Sequence, residues 1–150
     1  MERQYVLDNT RERERLRKLV NKITDKELSL IVYKEGWTVA VAFTHLAFWD
    51  ERRRLVLKLW KQNGVTPTPQ IGDMVNDVLI PLFLAIPPRK AAELSIQTAE
   101  ALDREIEALS PEMITAIEAL KEPNSLNRGM HRKMHLDEIE TLLKAKRGKK

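Results

Sequence analysis

Met130-His131-Arg132-Lys133-Met134-His135 places two histidines four residues apart, a spacing that stacks both side chains on one face of a helix. The chain has one other histidine, His45, inside the apolar run from Thr38 to Trp49. If the two helices face each other, three imidazoles meet at one point. Three neutral imidazoles around an open coordination position are how a protein holds a catalytic zinc, or a nickel or iron in its place. His131, His135, Glu138, Ile139 and Leu142 share one stripe whose apolar members point inward, and the histidines go with them. Burying imidazoles without partners costs roughly 1–3 kcal/mol each, which a metal relieves. The plainer alternative is a satisfied core histidine at 45 and two half-exposed polar residues at 131 and 135.

Other residues stand close to this constellation in register. Glu138 lies three residues beyond His135 and seven beyond His131, where it can orient a histidine or take a proton from a bound nucleophile; the alternative is a surface glutamate. Trp49 and Arg52 follow His45 by one and two turns and are candidates to line an entrance and hold an anionic substrate. Against that stand a core role for Trp49 and a solvated Arg52-Arg53-Arg54 run. Three protein ligands leave a position for water or thiol, whose pKa a divalent metal lowers. The chain contains no cysteine, so any sulfur nucleophile arrives as a cosubstrate.

The elements that must position these groups are helices. Asp8 or Asn9, with Glu12 three residues on, is expected to cap a first helix from Asn9 to Ile23, its Arg11–Arg15 alternation solvated and Leu16, Leu19, Val20 and Ile23 turned inward. Thr24 and Glu27 form a second capping box over a short turn reaching about Ile31. Thr38 caps a long helix to about Gln62, with Leu55, Val56, Leu59 and Trp60 as its later inward stripe, and Asn63-Gly64 ends it. Residues 65–70 form an extended loop because of their two prolines, and Asp73 opens a short helix from Met74 that Pro81 stops. Asn76 and Asp77 lie in this crossover. A third long helix runs from Arg89 to Leu109, a short one starts at Ser110-Pro111, and a fourth long helix spans about Leu126 to Lys144. No segment alternates like a strand. The expected fold is all-α, a four-helix bundle with a long crossover between its second and third long helices.

Composition sets the remaining bounds. With 43% apolar and 32% charged residues the chain reads as globular, a single domain over 1–143. Residues 144–150 carry five positive charges and no negative one; subtracting those five from the net +4 leaves the rest at −1. The basic character therefore belongs to an expected mobile tail, 144–150, and no specific nucleic-acid contact is expected. No apolar run approaches the roughly 18 residues of a membrane span, and the charged N-terminus lacks a signal-peptide core. The absence of cysteine suits a reducing compartment, and a cytoplasmic location is expected.

Gly36-Trp37-Thr38-Val39, then His45-Leu46-Ala47-Phe48-Trp49-Asp50, then His131-x-x-x-His135-Leu136-Asp137-Glu138-Ile139 together resemble the DinB/YfiT-like superfamily. That superfamily includes mycothiol-dependent maleylpyruvate isomerase N-terminal domains and bacillithiol S-transferases. The resemblance covers nearly the whole chain. It implies a four-helix bundle with a three-histidine divalent metal site, usually zinc or nickel, made here by His45, His131 and His135. It implies transfer of a low-molecular-weight thiol to a small-molecule electrophile, or a related isomerisation or hydrolysis. A non-catalytic metal- or small-molecule-binding protein of stress and sequestration type is the alternative, and a homodimer working through helix faces without chemistry is a third. No membrane partner is expected.

Overall fold

The computed structural model describes residues 3–148, and over them the chain is all-helical. In chain order the elements are α1 (Gln4–Lys22), α2 (Asp25–Leu28), α3 (Val39–Asn63), α4 (Met74–Leu84), α5 (Pro88–Glu107), α6 (Pro111–Ala119), a 3-10 turn (Pro123–Ser125) and α7 (Gly129–Arg147). Among the described residues the one β pairing is an isolated bridge between Ile31 and Thr38. No helix among them is long and apolar enough to cross a membrane.

Several helix ends follow from local chemistry. Thr24 and Glu27 make the reciprocal capping box. Thr38 accepts from Val41 N–H at 3.0 Å and so opens α3. Gly64 closes α3 at φ +94°, a conformation that favours glycine.

Other ends differ from the sequence expectation, each for a tertiary reason. Asn9 does not cap α1, which reaches back to Gln4. Its buried side chain serves another helix instead, donating to Leu126 C=O at 2.9 Å and accepting from Arg128 N–H at 2.7 Å and Gly129 N–H at 2.8 Å. Asn127 adds a cap by accepting from Met130 N–H at 3.0 Å. The start of α7 thus moves from Leu126 to Gly129. A Cβ at Gly129 would lie 2.6 Å from the Asp8 carbonyl oxygen, so only glycine lets α7 begin against α1. Helix α4 continues through Pro81 to Leu84. None of its residues is buried, so water can reach the carbonyl left without an amide partner. At the other end of the chain α7 runs on through Lys144 to Arg147, whose guanidinium pairs with Glu27 at 2.7 Å, where the sequence suggests a mobile tail. Lys149 and Lys150 lie outside the described residues.

Packing joins α3 chiefly to α5, and α1 to both α7 and α5, with α7 also meeting α3. One apolar cluster gathers Leu16, Leu19, Val20, Phe43, Leu46, Leu136, Ile139 and Leu143. A second gathers Val56, Leu57, Trp60, Leu102, Ile106, Ile117 and Leu126. The later stripe of α3 is therefore Val56, Leu57 and Trp60, while Leu55 and Leu59 are 57% and 43% exposed. They lie off the face turned to α5.

Along α3 and α7 a layer of buried charge separates the two clusters. Arg132 is the largest fully buried side chain, at 1% exposure. It grips Asp103 with two bonds of 2.8 and 2.9 Å and Asp50 with one of 3.1 Å. Arg128 reaches Asp50 at 3.0 Å, and Arg13 reaches Asp103 at 2.7 Å. Arg13 and the buried Glu12 are therefore not part of a solvated face; Glu12 holds Arg11 and Arg15 at 2.9 and 3.0 Å. One network ties α1, α3, α5 and α7.

Removing Arg132 leaves Asp50 with Arg128 and Asp103 with Arg13, one buried cation short of the set. Arg132→Met is expected to lower the free energy of urea unfolding by about 3–5 kcal/mol. A loss below about 1 kcal/mol contradicts the network's role.

Candidate metal centre

The three histidines arrive from two helices. His45 enters from the buried first half of α3, and His131 and His135 come from the first two turns of α7. His45 Nε2 lies 3.2 Å from His131 Nε2, and His135 Nε2 lies 3.1 Å from the same atom. The ligand atoms of all three fall within 4.8 Å of one another, a grouping that can hold a metal ion.

Hydrogen bonding alone does not account for this arrangement. Each imidazole nitrogen has one lone pair or one proton in the ring plane. His131 Nε2 faces two other Nε2 atoms, so it can form a good bond with only one of them. A divalent cation takes all three lone pairs at once. Metal–nitrogen bonds of about 2.0–2.1 Å in a tetrahedral site put ligand nitrogens about 3.3 Å apart, close to the spacings seen. The residues fit a divalent ion.

Aromatic neighbours and one phenol hold the rings in place. The Trp37 ring meets His45 edge-on with centroids 5.1 Å apart, and Trp49 lies 6.3 Å away on another side. His135 Nδ1 lies 2.5 Å from the Tyr33 oxygen, and with its Nε2 lone pair given to a metal the ring would carry its proton on Nδ1 and donate it there. Burial, then the nearby Glu138 carboxylate, raises the Tyr33 phenol above its usual value, so it stays protonated. Glu138 is exposed and borders the same cavity. Its nearest role is thus on Tyr33, one group removed from the imidazole.

All three imidazoles are kept neutral, the form that binds metal. Burial is the main cause in each case, lowering His45 to about 3 and His135 to about 4. His131 falls to about 2, with His135, Arg128, His45 and Arg132 adding repulsion.

The imidazoles open into a cleft of about 810 Å³ between α3, α7 and the segment 68–77. Trp49, Arg52, Asn76 and Asp77 line it, as do Tyr33, Trp37, Arg53 and Arg128. Trp49 is half-buried rather than core, and it donates to Asn76 at 3.0 Å. Arg52 lies 5.3 Å over the Trp49 ring. Neither Tyr33 nor Trp37 has a periodicity that marks it beforehand. Arg132 has one faint signal, a position inside the histidine pair on a helix whose neighbours face inward.

The family model for the DinB superfamily matches residues 9–144, and the chain belongs to that superfamily. Searches of curated proteins and of solved structures found no match.

Neutral burial makes stability depend on pH. In the unfolded chain histidine titrates near 6.5, and all three folded values lie below that. Their contribution is full above pH 6.5 and is lost as pH falls from 6.5 toward the folded values, at about 1.4 kcal/mol per pH unit for each histidine charged only when unfolded. Urea unfolding of the metal-free chain is expected to show falling stability between about pH 6.5 and 5, and His131→Gln to flatten that slope. A flat wild-type profile in this window contradicts buried neutral imidazoles.

Proposed function

We propose that this DinB-superfamily chain is a divalent-metal-dependent enzyme, with His45, His131 and His135 holding zinc or nickel. A water or a low-molecular-weight thiol cosubstrate adds to a small electrophile in the cleft beside them. The observation that carries this reading is the meeting of three Nε2 atoms, two contacts of 3.1 and 3.2 Å, at the wall of a cleft large enough for a small molecule. The four long helices form a four-helix bundle in this reading, and α4 with its flanks is the long crossover.

A bound divalent cation supplies a Lewis acid and a lowered pKa for the water or thiol in its open position. The chain's own groups do the rest. His45 is fixed by Trp37 and His135 by the Tyr33 oxygen, so two ligands need no reorientation. Glu138 takes the proton released by the nucleophile, directly or through Tyr33. Trp49 offers an apolar face to the body of the electrophile, and Arg52 stacked on it turns toward an anionic group. With a metal held by all three rings, their lone pairs would be committed to it, which leaves Glu138 to accept the proton.

The test is turnover of a model electrophile with bacillithiol, mycothiol or glutathione by metal-loaded protein. Wild type is expected to conjugate the electrophile with one of these thiols, or to hydrolyse it. His131→Ala is expected to lose more than the ~100-fold that removal of an outer partner brings. If neither conjugation nor hydrolysis responds to that substitution, the enzyme reading fails.

A further inference from the structure

The three consecutive arginines of α3 do not share one environment. Arg54 faces outward and is paired, with Glu51 at 2.5 Å and Glu105 at 2.9 Å. Arg52 and Arg53 face the cleft. Among the described residues neither has a carboxylate oxygen within the 4.0 Å of an ion pair. Arg53 is only 6% exposed, yet its polar partner is a neutral hydroxyl, Thr68 Oγ1 at 3.1 Å, and its flat face lies 5.5 Å over Trp60. Arg52 donates to the Pro69 carbonyl.

Both signs of charge surround the two arginines: Arg128 and Lys34 line the cleft, and so do Asp73, Asp77, Glu122 and Glu138, with Asp77 paired to Lys34 at 2.6 Å. Arg128 lines the same cleft, and its Nε and one terminal nitrogen are committed to Asp50 and Asn124 C=O. Burial first, and then the charges of Arg128 and Arg52, lower Arg53 to about 10. Burial and Arg128 lower Arg52 in the same direction. Glu122 is the carboxylate nearby, but its oxygens are occupied by Thr68 N–H at 3.1 Å, Thr68 Oγ1 at 2.5 Å and Ser125 Oγ at 3.2 Å. Two guanidiniums thus face the cleft with no carboxylate in direct contact, Arg53 reaching Glu122 only through the Thr68 hydroxyl, and an incoming anion supplies the direct partner they lack.

The spacing along α3 sets the shape of that anion. His45, Trp49, Arg52 and Arg53 lie on one face, and the arginines stand two turns from the histidine, about 10–12 Å along the axis. Trp49 fills the interval.

We infer that Arg53, with Arg52 beside it, anchors the anionic head group, a carboxylate or a phosphate, of a small molecule whose apolar body lies along Trp49 toward the three imidazoles. The planar fork of each guanidinium suits either group. The inference rests on reading this cleft as the substrate site, and it makes no use of a bound metal.

Binding of probes to the metal-free, full-length chain tests it, read by tryptophan fluorescence, since Trp49 lines the cleft and Trp60 lies under Arg53. Sodium benzoate and phenyl phosphate are the anions, and benzamide is the neutral control. At least one anion is expected to saturate the signal while benzamide does not, and the tighter anion identifies the head group. Arg53→Gln is expected to weaken that anion about tenfold or more, with Arg53→Lys between it and wild type. Arg52→Gln, which trims only a half-exposed side chain, is expected to weaken it about threefold and carries the test if Arg53→Gln does not fold. Arg54→Gln, which alters an outward-facing arginine paired with Glu51 and Glu105, is expected to bind the anion as wild type does. Equal affinity in wild type, Arg52→Gln and Arg53→Gln overturns the inference, and so does a loss of anion binding in Arg54→Gln equal to theirs. A chain that binds the anion but never turns over an electrophile leaves this inference standing and removes the proposed reaction.

Discussion

The site depends on a buried exchange of charge between helices. Asp50 on α3 and Asp103 on α5 are bridged by Arg132 of α7, with Arg128 and Arg13 completing the set. Arg132 is the residue after His131, and Asp50 lies little more than a turn beyond His45. A slip of α7 against α3 therefore breaks the ion pairs as it moves the imidazoles apart. Such a network is expensive to desolvate and adds less stability than an apolar cluster of the same volume. What it does fix is which turn of α7 meets which turn of α3. The Nε of Arg132 is left without a partner in that interior, so the network is tight but not fully satisfied.

The second constraint is the start of α7. Asn9 takes up the amides of Arg128 and Gly129, and Gly129 lets the helix touch the Asp8 backbone. His131 follows two residues later. The first helix thus helps to set the position of a residue of the candidate metal centre, through one side-chain amide and one missing Cβ. Tyr33 works similarly at His135, from the loop between α2 and α3.

The histidine centre was legible because imidazoles are scarce in this chain and their spacing suits a helix face. Thr24 and Thr38 were legible because a cap is a contact within four residues. Asn9 has the same cap chemistry but spends it across 119 and 120 residues of sequence, where no local pattern reports it. Arg13, Asp103 and Arg132 resemble ordinary surface charges until their partners are known, since each lies in a helix dense with charge. The division of Arg52-Arg53-Arg54 into cleft-facing and outward members is likewise a matter of helix rotation, as is the exposure of Leu55 and Leu59. Glu138 is a candidate by register alone, whereas Tyr33, which Glu138 acts on and which lies against His135, is a neighbour that register does not predict.

The most direct measurement is X-ray absorption at the zinc edge on the chain reconstituted with zinc. The account predicts one ion per chain with three imidazole nitrogens at about 2.0–2.1 Å and one further light ligand, and the loss of one imidazole in His45→Ala. Failure to retain stoichiometric zinc, or an ion held by fewer than three imidazoles, would contradict it.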